Sequence, residues 1–278
     1  SRSTPPTLSP AGEGGNDPRP SIPATLRSAT VLRIEIDGGP PTTERLAAGL
    51  LANYGHFTAM QVRDRRVKGL DLHLRRLDRA TRELYGTSLA GEHVRALIAH
   101  ALGDVRDAAV RVVVFGVGEP SVLVAVRPPT TPPVTPQRLV SVAYTRPLPH
   151  VKHLGGFGQI HHGKLAEQAG FDDALLTSDG VVVEGAIANI GFFDHGGGVV
   201  WPRADWLHGI TMQLLERELP SRREVVRSVD VGRYRGAFLA NSIGLVGVSR
   251  IDAVEYPADD PALDRVRAAY DAIHADPV

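Results

Sequence analysis

The chain has 278 residues, and its 31 lysines and arginines balance 31 aspartates and glutamates, so the formal net charge is zero. This balance argues against nonspecific nucleic-acid binding, which needs an excess of basic charge, and it gives no reason to expect an anionic membrane as a partner. Cysteine is absent, which excludes disulfides, thiolate metal sites and a cysteine nucleophile. Only Lys68, Lys152 and Lys164 supply side-chain amines.

Residues 1–25 are rich in proline, glycine and serine. Such a segment buries too little apolar surface to offset its ordering entropy, so we expect a disordered tail. Regular elements begin near Val31. In chain order, the first half predicts a strand at 31–36, a helix opened by Thr42, two strands about a turn at Asp64–Arg65, helices from Asp71 to Gly86 and from Gly91 to Asp104, and strands at 109–116 and 121–128.

The segment 128–136 holds five prolines in nine residues, which predicts a break because proline cannot continue a helix or a central strand. Beyond it, the sequence predicts a strand at 138–144, a helix at 159–170, short antiparallel strands between 172 and 202, a helix at 209–220, a strand at 223–231, a strand pair at 237–252 and a final helix after Pro257. Strands and helices mix without regular βαβ alternation. The predicted class is therefore α+β with largely antiparallel sheets.

Lys152 lies in the segment PHVKHLGGFG, where glycines allow a ligand to approach the backbone closely. No arginine occurs between Pro147 and Pro202. A lysine without competing cations could be partly desolvated, which lowers the pKa of its amine. The alternative from the residues alone is a solvated surface lysine.

Glu184 follows the apolar run VVV and precedes a glycine, so its carboxylate is expected inside the sheet. A buried carboxylate needs a partner. That partner is either a structural arginine or a protonated ring nitrogen of a bound cofactor.

Three more segments suit an anion. Gly209 to Thr211 open a helix, whose free backbone N–H groups and dipole favour phosphate. Asn241 and Ser242 lie in a polar turn between apolar strands, and Arg76 lies in the helix HLRRLDRA. Each feature also has a simpler explanation, since threonine near a helix start is usually a cap and a helical arginine is usually solvated.

Together, the blocks HLRRL, VKHL, VVVEGAIAN, LHGIT and ANS…VSRID follow one another in an order that resembles the class IV aminotransferases. These fold-type IV enzymes use pyridoxal 5′-phosphate and include branched-chain and D-amino acid aminotransferases and aminodeoxychorismate lyase. The resemblance runs from about residue 31 to the end of the chain. It implies two domains, with a small α+β domain at 26–145, a connection carrying the cofactor lysine at 146–153, and a large α+β domain at 154–278.

The resemblance also implies roles for the singled-out residues. Lys152 corresponds to the lysine that forms the Schiff base and then moves a proton at the substrate Cα. Glu184 corresponds to the glutamate that keeps the pyridine nitrogen protonated, which makes the ring an electron sink. Five residues correspond to binding positions for the phosphate and its surroundings: Arg76, Ile210, Thr211, Asn241 and Ser242.

Four positions are expected in the substrate pocket: Phe57, Phe115, Gly155 and Ala188. Several of them depart from the family pattern. Phe115 stands where members commonly carry a basic residue, which removes one way of gripping a substrate carboxylate. Gly155 and Met212 replace polar or basic residues, and Thr58 replaces an acid. These changes fit either subfamily drift with the same reaction or a changed substrate with fewer carboxylates.

The predicted reaction is transamination between an amino acid or amine and a 2-oxo acid. The alternatives are aminodeoxychorismate-type lyase chemistry that releases pyruvate, which the V-K-H-L block favours, and a cofactor-binding protein without turnover. We expect no metal site, no nucleic-acid or membrane partner, a homodimer and a cytoplasmic location. Lys164 and Lys68 are expected to be solvated lysines outside the site.

Overall fold

The computed structural model describes residues 31–278, so the predicted tail at 1–25 lies outside the described residues. The chain forms six α-helices in this range: α1 (Thr43–Ala52), α2 (Leu70–Tyr85), α3 (Gly91–Leu102), α4 (Phe157–Gln168), α5 (Ile210–Glu218) and α6 (Pro261–Ala272). The first strands are β1 (Arg33–Ile36), β2 (Gly55–Val62), β3 (Arg66–Lys68), β4 (Ala108–Phe115) and β5 (Ser121–Arg127). The later strands are β6 (Gln137–Ala143), β7 (Asp173–Ser178), β8 (Val181–Gly185), β9 (Asn189–Phe193), β10 (Val199–Pro202), β11 (Ser221–Glu224), β12 (Gly236–Asn241), β13 (Gly244–Ile251), β14 (Val254–Glu255) and β15 (Ala275–Pro277).

The first sheet has the strand order β1-β5-β4-β2 and is antiparallel throughout. Because side chains alternate along a strand, one face of β4 carries the buried Val110, Val112 and Val114. This face packs with α2 and α3 around Leu77 and Ile98, both of which are fully buried. The opposite face, which carries Arg111, is half-buried.

The second sheet follows the order β11-β10-β9-β12-β13-β6-β7-β8, with β14 paired to β13. Most pairs are antiparallel, but β6 pairs in parallel with both β7 and β13, and β10 pairs in parallel with β11. Its two faces bury separate clusters, one around Phe192 and one around Trp201 and Phe238. The α+β class with largely antiparallel sheets is therefore confirmed.

Two sequence expectations are wrong in detail. The strand predicted at 223–231 is limited to β11, and residues Ser228–Arg233 form a 3₁₀ helix instead. The chain also continues past its final helix into β15, which pairs with β3 of the first half. Lys68 in β3 is not simply solvated, because its amine donates to the backbone carbonyl of Tyr270 over 2.6 Å at the end of α6.

The two sheets meet along the segment between β6 and α4. Its backbone hydrogen-bonds to β2: Phe57 N–H donates to the Lys152 carbonyl, and Leu154 N–H donates to the Gly55 carbonyl. Gly55 has φ of +149°, and a Cβ there would lie 2.2 Å from the Val114 carbonyl oxygen, so only glycine fits. Strand β6, although it precedes residue 145, belongs to the second sheet. The domain division at 145 and 154 stays a prediction.

No helix within residues 31–278 is long and apolar enough to cross a membrane.

The first core should be sensitive to truncation at Ile98. Replacing this fully buried side chain by alanine removes packed methyl groups and leaves a cavity, which costs about 2–5 kcal/mol of unfolding free energy. Val134, which is 93% exposed, provides the control, and Val134→Ala should change stability by less than about 0.5 kcal/mol. Urea unfolding followed by circular dichroism measures both, and equal effects would contradict this core assignment.

Candidate active site

Lys152 lies where the connecting segment runs beside β2. Its backbone carbonyl accepts a hydrogen bond from Phe57 N–H. Next to this hydrogen bond, His56 of β2 and His153 form an isolated β-bridge. The amine Nζ lies 4.9 Å from the centre of the Phe57 ring. The residue as a whole is half-buried.

The positive charges of three arginines act on the Lys152 amine. Burial is the main cause that lowers the pKa of Lys152 to about 7, and Arg76, Arg146 and Arg111 contribute, while Glu184 opposes the shift. The lowered pKa agrees with the sequence expectation, but that expectation did not include the nearby arginines. The interval 147–202 lacks arginines, yet the fold brings arginines from outside that interval to the amine.

Glu184 is the second-last residue of β8 and is only 5% exposed. Its nearest charged partner is Arg146, whose Nε lies 3.5 Å from the carboxylate. Burial raises the pKa of Glu184, and the charges of Arg146 and Lys152 oppose that shift. Of the two partners that the sequence left open, the structure contains the arginine. The Arg146 Nε is thus ion-paired with Glu184 but makes no hydrogen bond within the described residues.

Arg146 also holds the connecting segment in place. Its guanidinium donates to the carbonyl oxygens of Val151, over 3.2 Å, and of Pro149. The side chain is buried, which lowers its pKa, although Glu184 counteracts the shift. The same arginine therefore fixes the backbone next to Lys152 and the carboxylate of Glu184.

Arg76 projects from α2 toward the start of α5. Its guanidinium donates to the His208 carbonyl over 2.9 Å, and burial lowers the pKa of Arg76 to about 10. His208 directly precedes Gly209, the N-cap of α5. Arg76 and the first residues of α5 are therefore adjacent, and their role in binding an anion stays a prediction.

No side chain caps the start of α5. Asn189 instead holds the preceding loop: its side-chain amide donates to the Leu207 carbonyl over 2.8 Å and accepts from Gly209 N–H over 3.1 Å. A Cβ on Gly209 would lie 2.0 Å from the Asn189 side-chain oxygen, so a larger residue here would displace Asn189. Beyond it, the backbone N–H groups of Ile210 and Thr211 belong to the uncapped first turn.

Thr211 links this turn to the second predicted anion-binding turn. Its buried hydroxyl donates to the Asn241 carbonyl over 2.7 Å. The Asn241 side chain accepts from Ile243 N–H over 2.8 Å, which fixes the turn that holds the half-buried Ser242. Residues 209–211 and 241–242 thus form one connected region, although they lie about 30 positions apart in sequence.

Of the four predicted pocket residues, only Phe57 contacts the lysine amine. Phe115 is buried against α1, where a Cβ on Gly49 would lie 2.8 Å from its ring. Ala188 is packed into the core of the second sheet. Gly155 lies two residues after His153. A Cβ added at Gly155 would lie 3.1 Å from the His153 ring. The pocket role of these three remains a prediction.

Thr58, which replaces an acid, faces away from Phe57 along β2. Its hydroxyl is 2.6 Å from Nδ1 of His73 on α2, and both side chains are buried. His56 pairs in the same way with Thr81 over 3.0 Å. Burial lowers the pKa of both histidines, so they support the first core as neutral groups. Within residues 31–278, no three His, Cys, Asp or Glu side chains are grouped to hold a metal ion.

Sequence reasoning missed Arg146, Arg111 and Asn189. Asn189 could have been found, because it is the asparagine of the E-G-x-x-x-N block. The two arginines carry no local motif, and only the fold brings them to Lys152. The complete arrangement combines a nucleophilic amine, a buried carboxylate and several cations beside an uncapped helix start. Such a set suits a molecule that carries an aldehyde, a basic ring nitrogen and a phosphate.

Comparison with known proteins agrees with this chemistry. A family model described as amino-transferase class IV matches residues 55–251. The comparison with curated proteins found no match.

Solved structures with the same fold include a branched-chain aminotransferase from Thermoproteus uzoniensis, with TM-score 0.76, 20% identity, and coverage of 87% of this chain and 94% of the other. A PLP-bound hypothetical aminotransferase from Mycobacterium tuberculosis has TM-score 0.73 and 20% identity, with coverage of 86% and 98%. A putative 4-amino-4-deoxychorismate lyase from Legionella pneumophila has TM-score 0.73 and 18% identity, with coverage of 82% and 94%. At these identities, the structural likeness shows the fold.

The lowered pKa predicts unusual reactivity of the Lys152 amine. Because only the neutral amine reacts with an acylating reagent, modification of Lys152 should rise through a midpoint near pH 7. Peptide mass spectrometry after brief acetylation at several pH values measures the extent of Lys152 modification. The exposed Lys164 in the same digest is the control, because its modification shows that the reagent is active. A Lys152 midpoint above pH 9 would contradict the electrostatic description of the site.

Proposed function

Because this chain belongs to the class IV aminotransferase family, we propose that it is an aminotransferase that moves an amino group between an amino acid or amine and a 2-oxo acid. Members of the family use pyridoxal 5′-phosphate, and the solved relatives include a PLP-bound structure. The observation that carries the proposal is the Lys152 amine, whose pKa is lowered to about 7 among arginines and one buried carboxylate.

The residues present fit this cofactor. The uncapped start of α5 offers backbone N–H donors that an anionic group would satisfy. Around Lys152 the cations outnumber the single carboxylate of Glu184, so the local charge favours a phosphate monoester. Glycine at 209 leaves room for the Asn189 side chain, which holds the loop before α5.

When bound, the cofactor supplies an electron sink that stabilises negative charge at the substrate Cα. We assign its covalent attachment to Lys152. Arg76 and the backbone N–H groups of Ile210 and Thr211 bind the phosphate, together with the turn at Asn241 and Ser242. Glu184 holds a proton on the ring nitrogen, and its raised pKa, which arises from burial, suits a carboxyl that shares a proton.

Lys152 then acts as the acid and base at the substrate Cα. An amine with a pKa near the ambient pH accepts and returns a proton with little energetic bias in either direction. Burial and the neighbouring arginines provide this tuning. Arg146 keeps Lys152 in position by binding the carbonyls on its N-terminal side.

Lyase chemistry is the second candidate. Two observations favour it: the V-K-H-L block around Lys152, and the likeness in fold to a protein described as a putative 4-amino-4-deoxychorismate lyase. It would use the same lysine as a base and release pyruvate.

We also propose a homodimer, which the exposed face of α1 supports. None of the ten residues of α1 is buried, and Leu50 and Leu51 are 81% and 84% exposed. Adjacent large apolar side chains on one helix are favourable at a subunit interface. A cytoplasmic location, expected from the sequence, stays a prediction.

The reaction is tested by spectroscopic half-reactions. The cofactor-loaded protein should be yellow, and single additions of L- or D-amino acids should convert the cofactor to its amine form. Lys152→Ala should abolish this conversion, a loss of more than about 1000-fold, whereas Lys164→Ala should retain it. A protein that stays colourless with added cofactor would contradict the proposal.

The same assay separates the alternatives. Pyruvate release from aminodeoxychorismate, without conversion by amino acids, would establish the lyase. Cofactor binding with neither activity would identify a family member without turnover.

The homodimer is tested by charge substitution on α1. The double variant Leu50→Glu, Leu51→Glu places two buried charges in the proposed interface and should shift the mass seen by light scattering from dimer to monomer. Val229→Glu is the control, because Val229 is equally exposed at 86% and lies in the 3₁₀ helix of the second half. A wild-type monomer, or a double variant that remains dimeric, would refute this interface.

A further inference from the structure

A charged cluster of four side chains lies beside the loop that leads to α5. Glu216 of α5 accepts two hydrogen bonds from Arg223 of β11, from its Nε and its Nη2, each over 2.8 Å. Nε2 of His208 lies 2.8 Å from the Glu216 carboxylate. The Arg223 guanidinium carbon lies 4.9 Å from the centre of the Trp206 ring. We call Trp206, His208, Glu216 and Arg223 the α5 cluster.

The α5 cluster is held together by charge and is partly shielded from solvent. The side chain of Glu216 is only 18% exposed, so its ion pair with Arg223 is screened less than a surface pair. Burial raises the pKa of Glu216, but the hydrogen bonds and charges of His208 and Arg223 outweigh burial and lower it to about 2. The pair is bidentate, which fixes its geometry as well as its strength.

His208 connects the α5 cluster to the start of the helix. Arg223 Nη2 lies 3.0 Å from His208 Nε2, but an arginine only donates and its N–H groups already reach Glu216. We therefore assign the proton to His208 Nε2, which donates to Glu216. The His208 backbone carbonyl accepts from Arg76 and from the Gln213 side chain, each over 2.9 Å. A shift of His208 would thus move the guanidinium of Arg76.

The loop before α5 is held at three successive residues. Asn189 binds the Leu207 carbonyl and the Gly209 N–H group, and the α5 cluster binds the His208 ring between them. Gly209 is the N-cap of α5, so the position of this loop also sets the direction of the first backbone N–H groups of the helix. The two groups that we assign to a phosphate, Arg76 and the start of α5, therefore meet at His208.

We infer that Glu216 and Arg223 are positioning residues for a phosphate at the start of α5, and that they act through His208. This inference rests on the proposed function and deepens it, because it assigns the affinity for the cofactor phosphate partly to side chains that do not bind the phosphate themselves. A cluster that only stabilises the fold, or one that acts only through its electrostatic potential, gives different results in the following experiment.

The test measures how tightly the cofactor-free protein binds pyridoxal 5′-phosphate and pyridoxal, which lacks the phosphate, by absorbance titration. Glu216→Gln and Arg223→Gln should each weaken binding of pyridoxal 5′-phosphate by about 10-fold, the value of roughly one well-placed hydrogen bond to a charged group, and should leave pyridoxal binding unchanged. Arg223→Lys should lose part of this affinity, because it keeps the charge but not the bidentate geometry.

Two matched controls lie on the same helix. Arg217 and Glu218 are exposed residues of α5, and Arg217→Gln and Glu218→Gln make the same changes of charge. Both controls should bind pyridoxal 5′-phosphate and pyridoxal as the wild-type protein does. If a glutamine variant of the cluster does not fold by circular dichroism, Arg223→Lys decides the question.

The two glutamine variants separate positioning from electrostatic potential. Loss of Glu216 makes the region more positive and loss of Arg223 makes it more negative, so potential alone would strengthen phosphate binding in one variant and weaken it in the other. Opposite changes of this kind would overturn the inference. An equal loss for pyridoxal 5′-phosphate and pyridoxal, which indicates a general structural role, or unchanged affinities would also overturn it.

Failure of the inference can be separated from failure of the proposed function. If wild-type protein binds pyridoxal 5′-phosphate and converts amino acids, but the cluster variants keep its affinities, only the inference is wrong. If wild-type protein does not bind pyridoxal 5′-phosphate, the proposed function is wrong and the inference fails with it.

Discussion

The structure depends on one electrostatic constraint: several cations are held around a single buried carboxylate. Arg76, Arg146 and Lys152 act on one another strongly enough to lower pKa values, and Glu184 is the one carboxylate that opposes the shift at Lys152. Concentrated positive charge of this kind costs folding free energy, because burial removes the hydration of each ion. A dianionic phosphate beside these groups offsets that cost and gains affinity from it. Burial, aided by the neighbouring arginines, lowers the pKa of Lys152 to about 7, so about half of the amine is neutral near pH 7.

The fold keeps these charges together from distant parts of the chain. Helix α2 supplies Arg76 from the first half, and the segment before α4 supplies Arg146 and Lys152. Backbone pairing with β2 fixes the position of Lys152. Glycine at 55 in that strand is required by the close approach of the β4 backbone at Val114. On the opposite side, Asn189 holds the loop that leads to α5. Each of the two cores therefore supports one side of the site.

Local patterns predicted most elements and the central residues, but they did not predict how the residues are paired. Alternation and capping located the helices and nearly all strands, and the block order located Lys152, Arg76, Glu184 and Thr211. The partner of Glu184 was undetermined because Arg146 has no motif and approaches only through the turn at 147–151. The region after β11 was misassigned, because apolar residues at 225, 226, 229 and 231 fit a strand until the 3₁₀ turn redirects them. Parallel pairing of β6 with β7 and β13 likewise depends on long-range contacts that no local pattern encodes.

The most direct test of the central claim is a crystal structure of the protein loaded with pyridoxal 5′-phosphate. The account predicts continuous density from the cofactor to the Lys152 Nζ, the phosphate between Arg76 and the start of α5, and the ring nitrogen facing Glu184. Density joined to Lys68 or Lys164, or a phosphate bound away from residues 209–211, would contradict it.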